Sequence, residues 1–162
     1  MDLQLDDKIA LVTGSTAGIG LEIARKLAVE GAKVTITGRN KAKLDQAVDS
    51  IGASGGAGVG GVLADASTAE GAAALVRATP RVDILVNNLG IYEMKGFAAI
   101  TDTDWRRYFE VNVLSGARLA RAYLPGMLER NWGRIIFISS ESGGFCEVAR
   151  HRSRGSARSR PH

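Results

Sequence analysis

Thr13-Gly14-Ser15-Thr16-Ala17-Gly18-Ile19-Gly20 follows directly on the apolar run Ile9-Ala10-Leu11-Val12 and opens a stretch in which Ile19, Ile23 and Leu27 recur at helical spacing. Glycines in a strand-to-helix turn let the backbone bend tightly and approach a phosphate. The phosphate's charge then sits against free N–H groups and the positive end of the helix dipole. Three glycines alone would say only that the chain turns sharply. With a strand before them, a helix after them and a second strand beyond, they predict a dinucleotide-binding turn made of Gly14, Ser15, Thr16, Gly18, Ile19 and Gly20.

Outward from this turn, short β-rich runs alternate with longer stretches of 3.6-residue period, the pattern of βαβ units on a parallel sheet. Five strands are predicted, Ile9 to Thr13, Val34 to Thr37, Val59 to Ala64, Asp83 to Asn87 and Arg134 to Ser139, each read as buried on both faces. Four helices lie between them, over about Gly18 to Glu30 with Gly31 as its C-cap, Lys41 to Ile51, Ala69 to Ala78, and about Thr101 to Arg130. The last begins in the capping run Thr101-Asp102-Thr103-Asp104 and carries Pro125 as a kink or late break. Six glycines within Gly52 to Gly61 read as a flexible connection. The fold class is α/β, a doubly wound, Rossmann-like parallel sheet limited to its first five strands and followed by an unstructured basic tail.

Composition agrees with one folded unit of 162 residues, 45% hydrophobic and 23% charged. No apolar run reaches the roughly 18 residues of a membrane span. The acidic N-terminus does not resemble a signal peptide, and the single Cys146 cannot form an internal disulfide, so the cytoplasm is the expected compartment. The net charge of +4 is confined to residues 147 to 162, with Arg150, Arg152, Arg154, Arg158 and Arg160 against Glu147. The first 146 residues are neutral and carry no basic nucleic-acid face. No metal-ligand cluster is present, and Cys146 has no predictable base beside it, so it reads as incidental.

The glycine spacing resembles that of the short-chain dehydrogenase/reductase family, and further landmarks agree. Asn87-Asn88-Leu89-Gly90 is similar to the family's N-N-A-G motif, with Leu89 in place of alanine. Asp65, with Ala66, matches the acidic position that in the family contacts the adenine ring. Asn112 matches the helix asparagine of the family's catalytic set, and Ser140, after the strand Arg134 to Ser139, matches its catalytic serine. The resemblance runs from about residue 5 to residue 143. It implies hydride transfer between a nicotinamide cofactor and a carbonyl or alcohol carbon, with cofactor contacts at Asn87, Asn88 and Gly90. It also implies a homo-oligomer paired through the long helix and its successor.

Two positions have readings from the residues themselves. Asn112 lies with Trp105, Tyr108, Phe109, Gly116, Leu119 and Tyr123 on one helical stripe, which predicts a buried amide that must be hydrogen-bonded. It is either a core asparagine tying helix to strand or a member of the catalytic set. At the end of the second strand, Thr37-Gly38-Arg39-Asn40 lacks the acid that would bind a ribose 2′-hydroxyl and offers Arg39 instead, with Lys41 nearby as a second cation. NADP(H) is therefore expected over NAD(H), unless Arg39 is only an exposed arginine at a helix start.

The family's tyrosine and lysine, a Y-x-x-x-K motif roughly thirteen residues past Ser140, are not found. Ser153 and Ala157 occupy those places; no tyrosine follows Tyr123 and no lysine follows Lys95. Free tyrosine titrates near pH 10, so the pair is what would give a usable acid–base group. Its loss is expected to cost at least about 10²- to 10⁴-fold. Residues 1–144 therefore read as an incomplete nucleotide-binding domain and 145–162 as an Arg-rich tail in which apolar periodicity stops abruptly, either a frame-shifted or otherwise altered end of a longer reductase gene or a natural disordered tail. The expectation is an oxidoreductase by family with little or no turnover as this chain, leaving the fifth strand as a sheet edge and apolar helix faces open. The alternatives are a non-catalytic NADP(H)-binding module and, less favoured, a nucleic-acid contact made by the tail.

Overall fold

The computed structural model describes residues 3–56 and 58–139. Ser140 and the Arg-rich tail lie outside the described residues, as does the proposed change of character after Gly144. Five parallel strands form one sheet: β1 (Ile9–Val12), β2 (Lys33–Gly38), β3 (Val59–Leu63), β4 (Ile84–Asn87) and β5 (Arg134–Phe137), in the order β3-β2-β1-β4-β5. The helices between them are α1 (Gly18–Val29), α2 (Lys41–Gly52), α3 (Ala69–Ala78), α4 (Asp102–Phe109) and α5 (Ser115–Glu129). This is the doubly wound, Rossmann-like arrangement.

The sheet's two faces follow from the two-residue period of a strand. Ala10 and Val12 of β1 and Ile84 and Val86 of β4 point into a cluster with Ala24, Ala28, Leu44 and Ile51 of α1 and α2. Leu11 and Leu85, the residues between them, point into the opposite cluster with Leu75, Leu119, Tyr123 and Met127 of α3 and α5. Leu11, Ile36, Ile51, Leu75 and Leu85 are wholly buried, each worth roughly 1.5–3 kcal/mol of transfer free energy.

Local signals set most element ends. The side chain of Asn40 accepts from the Lys43 amide at the start of α2, Thr68 accepts from Gly71 at the start of α3, and Thr101 and Asp104 form a reciprocal capping box at the start of α4. α1 ends as expected at Gly31, whose φ is +96°. The amides of Gly31 and Ala32 return to the carbonyls of Ala28 and Leu27 at 3.2 and 3.0 Å, a pairing that needs a left-handed residue at that position.

Three expectations are corrected. First, burial on both faces holds for β1 and β4 but not for the edges: Leu63 of β3 is 54% exposed and Phe137 of β5 is 55% exposed, because only a central strand has neighbours on both sides. Second, the glycine-rich connection is partly built into elements, with Gly52 ending α2 and Gly60 and Gly61 lying in β3, while Gly55, Gly56 and Gly58 lie between them. A Cβ on Gly61 would lie 3.0 Å from Leu44 Cγ, so its bareness lets α2 pack on the sheet. Third, the single long helix is interrupted by a π-helical turn, Glu110–Leu114, whereas Pro125 stays inside α5. The interruption falls at Asn112, and the Ser115 hydroxyl donates to the Val111 carbonyl at 2.5 Å just after it.

The open apolar faces expected of the last helix and strand are present: Trp105, Phe109 and Leu128 are exposed, and β5 ends the sheet among the described residues. No helix of the described residues is long and apolar enough to cross a membrane.

Candidate functional site

In a sheet ordered β3-β2-β1-β4-β5 the connections leave β1 and β4 in opposite directions, so a crevice opens at the carboxyl ends of these neighbouring strands. The glycine turn lies across it. Gly14 and Gly18 have φ values of +60° and +58°, conformations that L side chains adopt at a cost. Gly20 is needed for space: a Cβ there would lie 2.5 Å from the Gly14 carbonyl oxygen and against the Asn88 side chain.

β4 holds this turn in place. The Asn88 amide nitrogen Nδ2 donates to the carbonyls of Thr13 and Gly14 at 3.1 and 3.0 Å. The Thr13 hydroxyl accepts from the amides of Asn88 and Leu89 at 3.0 and 3.1 Å. Ser15 stitches the other side. Its wholly buried hydroxyl donates to the Val12 carbonyl at 2.6 Å and accepts from the Thr37 amide at 3.0 Å, tying β1 to β2. Asn88 and Ser15 thus shape the turn, and the one proton of the Ser15 hydroxyl is already committed.

α1 begins beside the turn without a capping side chain and with no acid in its first turn. Its leading N–H groups, at Gly18, Ile19 and Gly20, have no intrahelical acceptor. They and the glycine turn fit a pyrophosphate. Ile19 projects into solvent there, 67% exposed.

A cleft of about 180 Å³ continues from the turn to the ends of β2 and β3, lined by Gly14, Thr16, Arg39, Asp65 and Ala66, all singled out from the sequence. Ala17, Gly38, Ala64 and Leu89 also line it and were not singled out, apart from Leu89 as a departure from the family motif. Their signal is positional only, since each adjoins a residue that was. Asp65 Oδ1 accepts from the Ser67 amide at 3.0 Å and the Ser67 hydroxyl at 2.6 Å, while Oδ2 lies 3.6 Å from Arg39 Nη1. Burial pushes the Asp65 carboxyl up, but the Ser67 hydrogen bonds and the Arg39 charge outweigh it and hold the group below its ordinary value. Lys41, expected as a second cation, is not at this cleft. Its ammonium is held by both carboxylate oxygens of Asp45 at 3.0 and 2.8 Å.

Asn87 sits deeper. It is 7% exposed, its Oδ1 and Nδ2 have no hydrogen-bond partner among the described residues, and it packs against Gly116 of α5. Gly90 begins the segment leading away from β4, with Asn112 Oδ1 beside it.

The burial expected of Asn112 is corrected. It is exposed, in the π-helical turn, where Oδ1 accepts from the Ile91 amide at 2.8 Å and Nδ2 donates to the Ile91 carbonyl at 3.1 Å. Its stripe is buried only in its second half, at Gly116, Leu119 and Tyr123; at Trp105 and Phe109 no described element covers it. The amide is satisfied, as expected, but by the backbone after Gly90 rather than by the core.

None of the chain's tyrosines lines the cleft. Tyr123 is buried with its hydroxyl donating to the Thr79 carbonyl at 3.0 Å, and burial pushes its pKa up to about 12. Tyr108 donates to the Glu93 carbonyl at 3.3 Å, and Tyr92 is 81% exposed.

Comparison with known proteins agrees with this geometry. The model of the short chain dehydrogenase family matches residues 8–151. The uncharacterized oxidoreductases YvaG and YvrD of Bacillus subtilis are 50% and 47% identical over 143 and 146 residues, each match covering 88% of this chain but only 54% and 55% of the relative. The structure of L-sorbose reductase from Gluconobacter frateurii, complexed with NADPH and L-sorbose, superposes with a TM-score of 0.79 at 38% identity, over 85% of this chain and 54% of that one. The chain therefore spans about half the length of these relatives. With the glycine turn, the β4 asparagines and the sheet order all in place, the chain belongs to the short chain dehydrogenase family, whose members bind a nicotinamide dinucleotide.

Proposed function

We propose that this chain is the nucleotide-binding half of an NADP(H)-dependent oxidoreductase acting on a carbonyl or alcohol group. The observation that carries the reading is the cleft that runs from the glycine turn to Arg39, with a guanidinium and no acid at the end of β2. The bound cofactor would supply the hydride. Gly14, Gly18, Ile19 and Gly20 offer backbone N–H groups and close approach to the pyrophosphate, Asp65 and Ala66 border the adenosine, and Arg39 offers a fork of N–H donors to a 2′-phosphate. Asn87 and Asn88 act from β4, Asn88 by holding the turn. Asn112, by resemblance, would position catalytic groups, and Ser140 would orient the substrate oxygen.

Within the 162 residues the acid–base tyrosine and its lysine are missing, and Tyr123 is buried with a raised pKa. The chain by itself is therefore proposed to bind cofactor with little or no turnover.

Equilibrium titration of the chain with NADPH and NADH tests the cofactor preference. The expected result is tighter binding of NADPH, a difference that Arg39→Ala removes. Equal affinities in the wild-type chain would overturn the preference, and NADPH-dependent ketone reduction at an ordinary enzymatic rate would overturn the expectation of low turnover.

A further inference from the structure

Arg39 and Asp65 stand on two neighbouring strand ends, β2 and β3, and line one cleft. Their contact is one-sided in its anchoring. Asp65 is fixed, because Oδ1 takes both the amide and the hydroxyl of Ser67 and the side chain is only 35% exposed. Arg39 is not, because its side chain is 74% exposed and the 3.6 Å approach of Nη1 to Asp65 Oδ2 is an ion-pair distance too long for a hydrogen bond. Among the described residues no other acid pairs with Arg39, and the nearest cation along the chain, Lys41, is held by Asp45. Among the described residues the guanidinium therefore rests on one carboxylate, at ion-pair distance.

We propose that Asp65 is a specificity-determining residue, a carboxylate that competes with the ligand's 2′-phosphate for Arg39 and so limits the preference for the phosphorylated cofactor. A 2′-phosphate must draw the guanidinium toward itself, which leaves the Asp65 carboxylate without its cation and facing a second anion in the same cleft. A ligand ending in a 2′-hydroxyl leaves the Arg39 to Asp65 pair intact. The carboxylate thus penalises the phosphate and spares the hydroxyl. Because the pair is partly exposed, the effect is that of a screened surface ion pair, about two- to fivefold in affinity.

This inference rests on the reading of Arg39 as the 2′-phosphate contact, and the two can fail separately. The experiment is calorimetric titration of the chain with adenosine 2′,5′-bisphosphate and with 5′-AMP, taking the ratio of the two dissociation constants as the discrimination. Asp65→Asn keeps the Oδ1 acceptor for Ser67 while removing the charge, and Asp65→Ser, with its thermal melt recorded alongside, is the second variant should the first not fold. Discrimination in favour of the bisphosphate is expected to rise about two- to fivefold in either variant, and the rise is expected to shrink to less than half when Arg39→Ala is also present. A wild-type preference for the bisphosphate that Asp65→Asn leaves unchanged or lowers overturns the competition while leaving the Arg39 reading intact. A wild-type ratio near one that rises in Asp65→Asn supports the competition and overturns the NADP preference. A ratio near one in both proteins overturns both.

Discussion

Asn88 at the end of β4 donates through one side-chain nitrogen to two successive carbonyls of the glycine turn, those of Thr13 and Gly14. Two strands that are neighbours only because the sheet order places β4 beside β1 are thereby locked at the point where the turn must hold its shape. Replacing Asn88 by Ala leaves both carbonyls without this donor. The expected cost is about 1–3 kcal/mol of folding stability, with nucleotide affinity falling at least as far, measured by urea denaturation and by cofactor titration of the same samples. Unchanged affinity in a destabilised variant would show that the turn keeps its shape without the clamp.

Asp83 performs a similar task at the other end of β4. It is 2% exposed, accepts from the Ile9 amide at 3.1 Å and pairs with Arg81 and Arg130. Burial pushes its carboxyl up, but the Ile9 amide and the two arginines outweigh that and hold it below the ordinary carboxylate value. A group whose folded pKa is depressed contributes fully above its unfolded pKa, near 4, and its contribution is lost as the pH falls through the lower folded value. Asp83→Asn is therefore expected to destabilise the fold by about 1–3 kcal/mol at pH 6–8. The gap should close as the pH is lowered from 4, followed by chemical denaturation across that range. A gap independent of pH would contradict the role of the charge.

Asn112 closes a two-way hydrogen-bonded ring with the backbone of Ile91. In Asn112→Ala the Ile91 amide loses its acceptor in an exposed segment, so its hydrogen exchange is expected to accelerate about tenfold or more, the equivalent of about 1.4 kcal/mol. Amides of β1 and β4 are expected to keep their protection. Global loss of protection would instead make Asn112 part of the folding core.

Much of this fold is legible in the chain because the apolar runs of β1 and β4 are central and the octet from Thr13 to Gly20 joins strand to helix with glycines where positive φ and close approach demand them. The edge position of β5 follows from the missing successor strands, but that of β3 is not legible, since Leu63 looks like a core residue until the strand order places β3 at the other edge. The periodicity around Asn112 correctly marks an apolar stripe but cannot say how much of it is covered, and the π-helical turn has no spacing signature of its own. Within the site, the motif locates residues and the atoms decide their tasks. Ser15 and Asn88 turn inward to hold the backbone, and Lys41, one helical turn before Asp45, is drawn away from the cleft that Arg39 faces.

The central claim is that the glycine turn and the cleft beside it hold NADP(H), and calorimetric titration of the chain with NADPH, alongside Gly14→Val, tests it most directly. Gly14 has φ +60° and a Cβ there would lie 3.1 Å from Leu89 Cα, so valine both strains the turn and fills its approach. Saturable one-to-one binding that is lost in the variant, while the variant still unfolds cooperatively, is the predicted result. No saturable binding by the folded wild-type chain, or binding undiminished by Gly14→Val, would contradict the account.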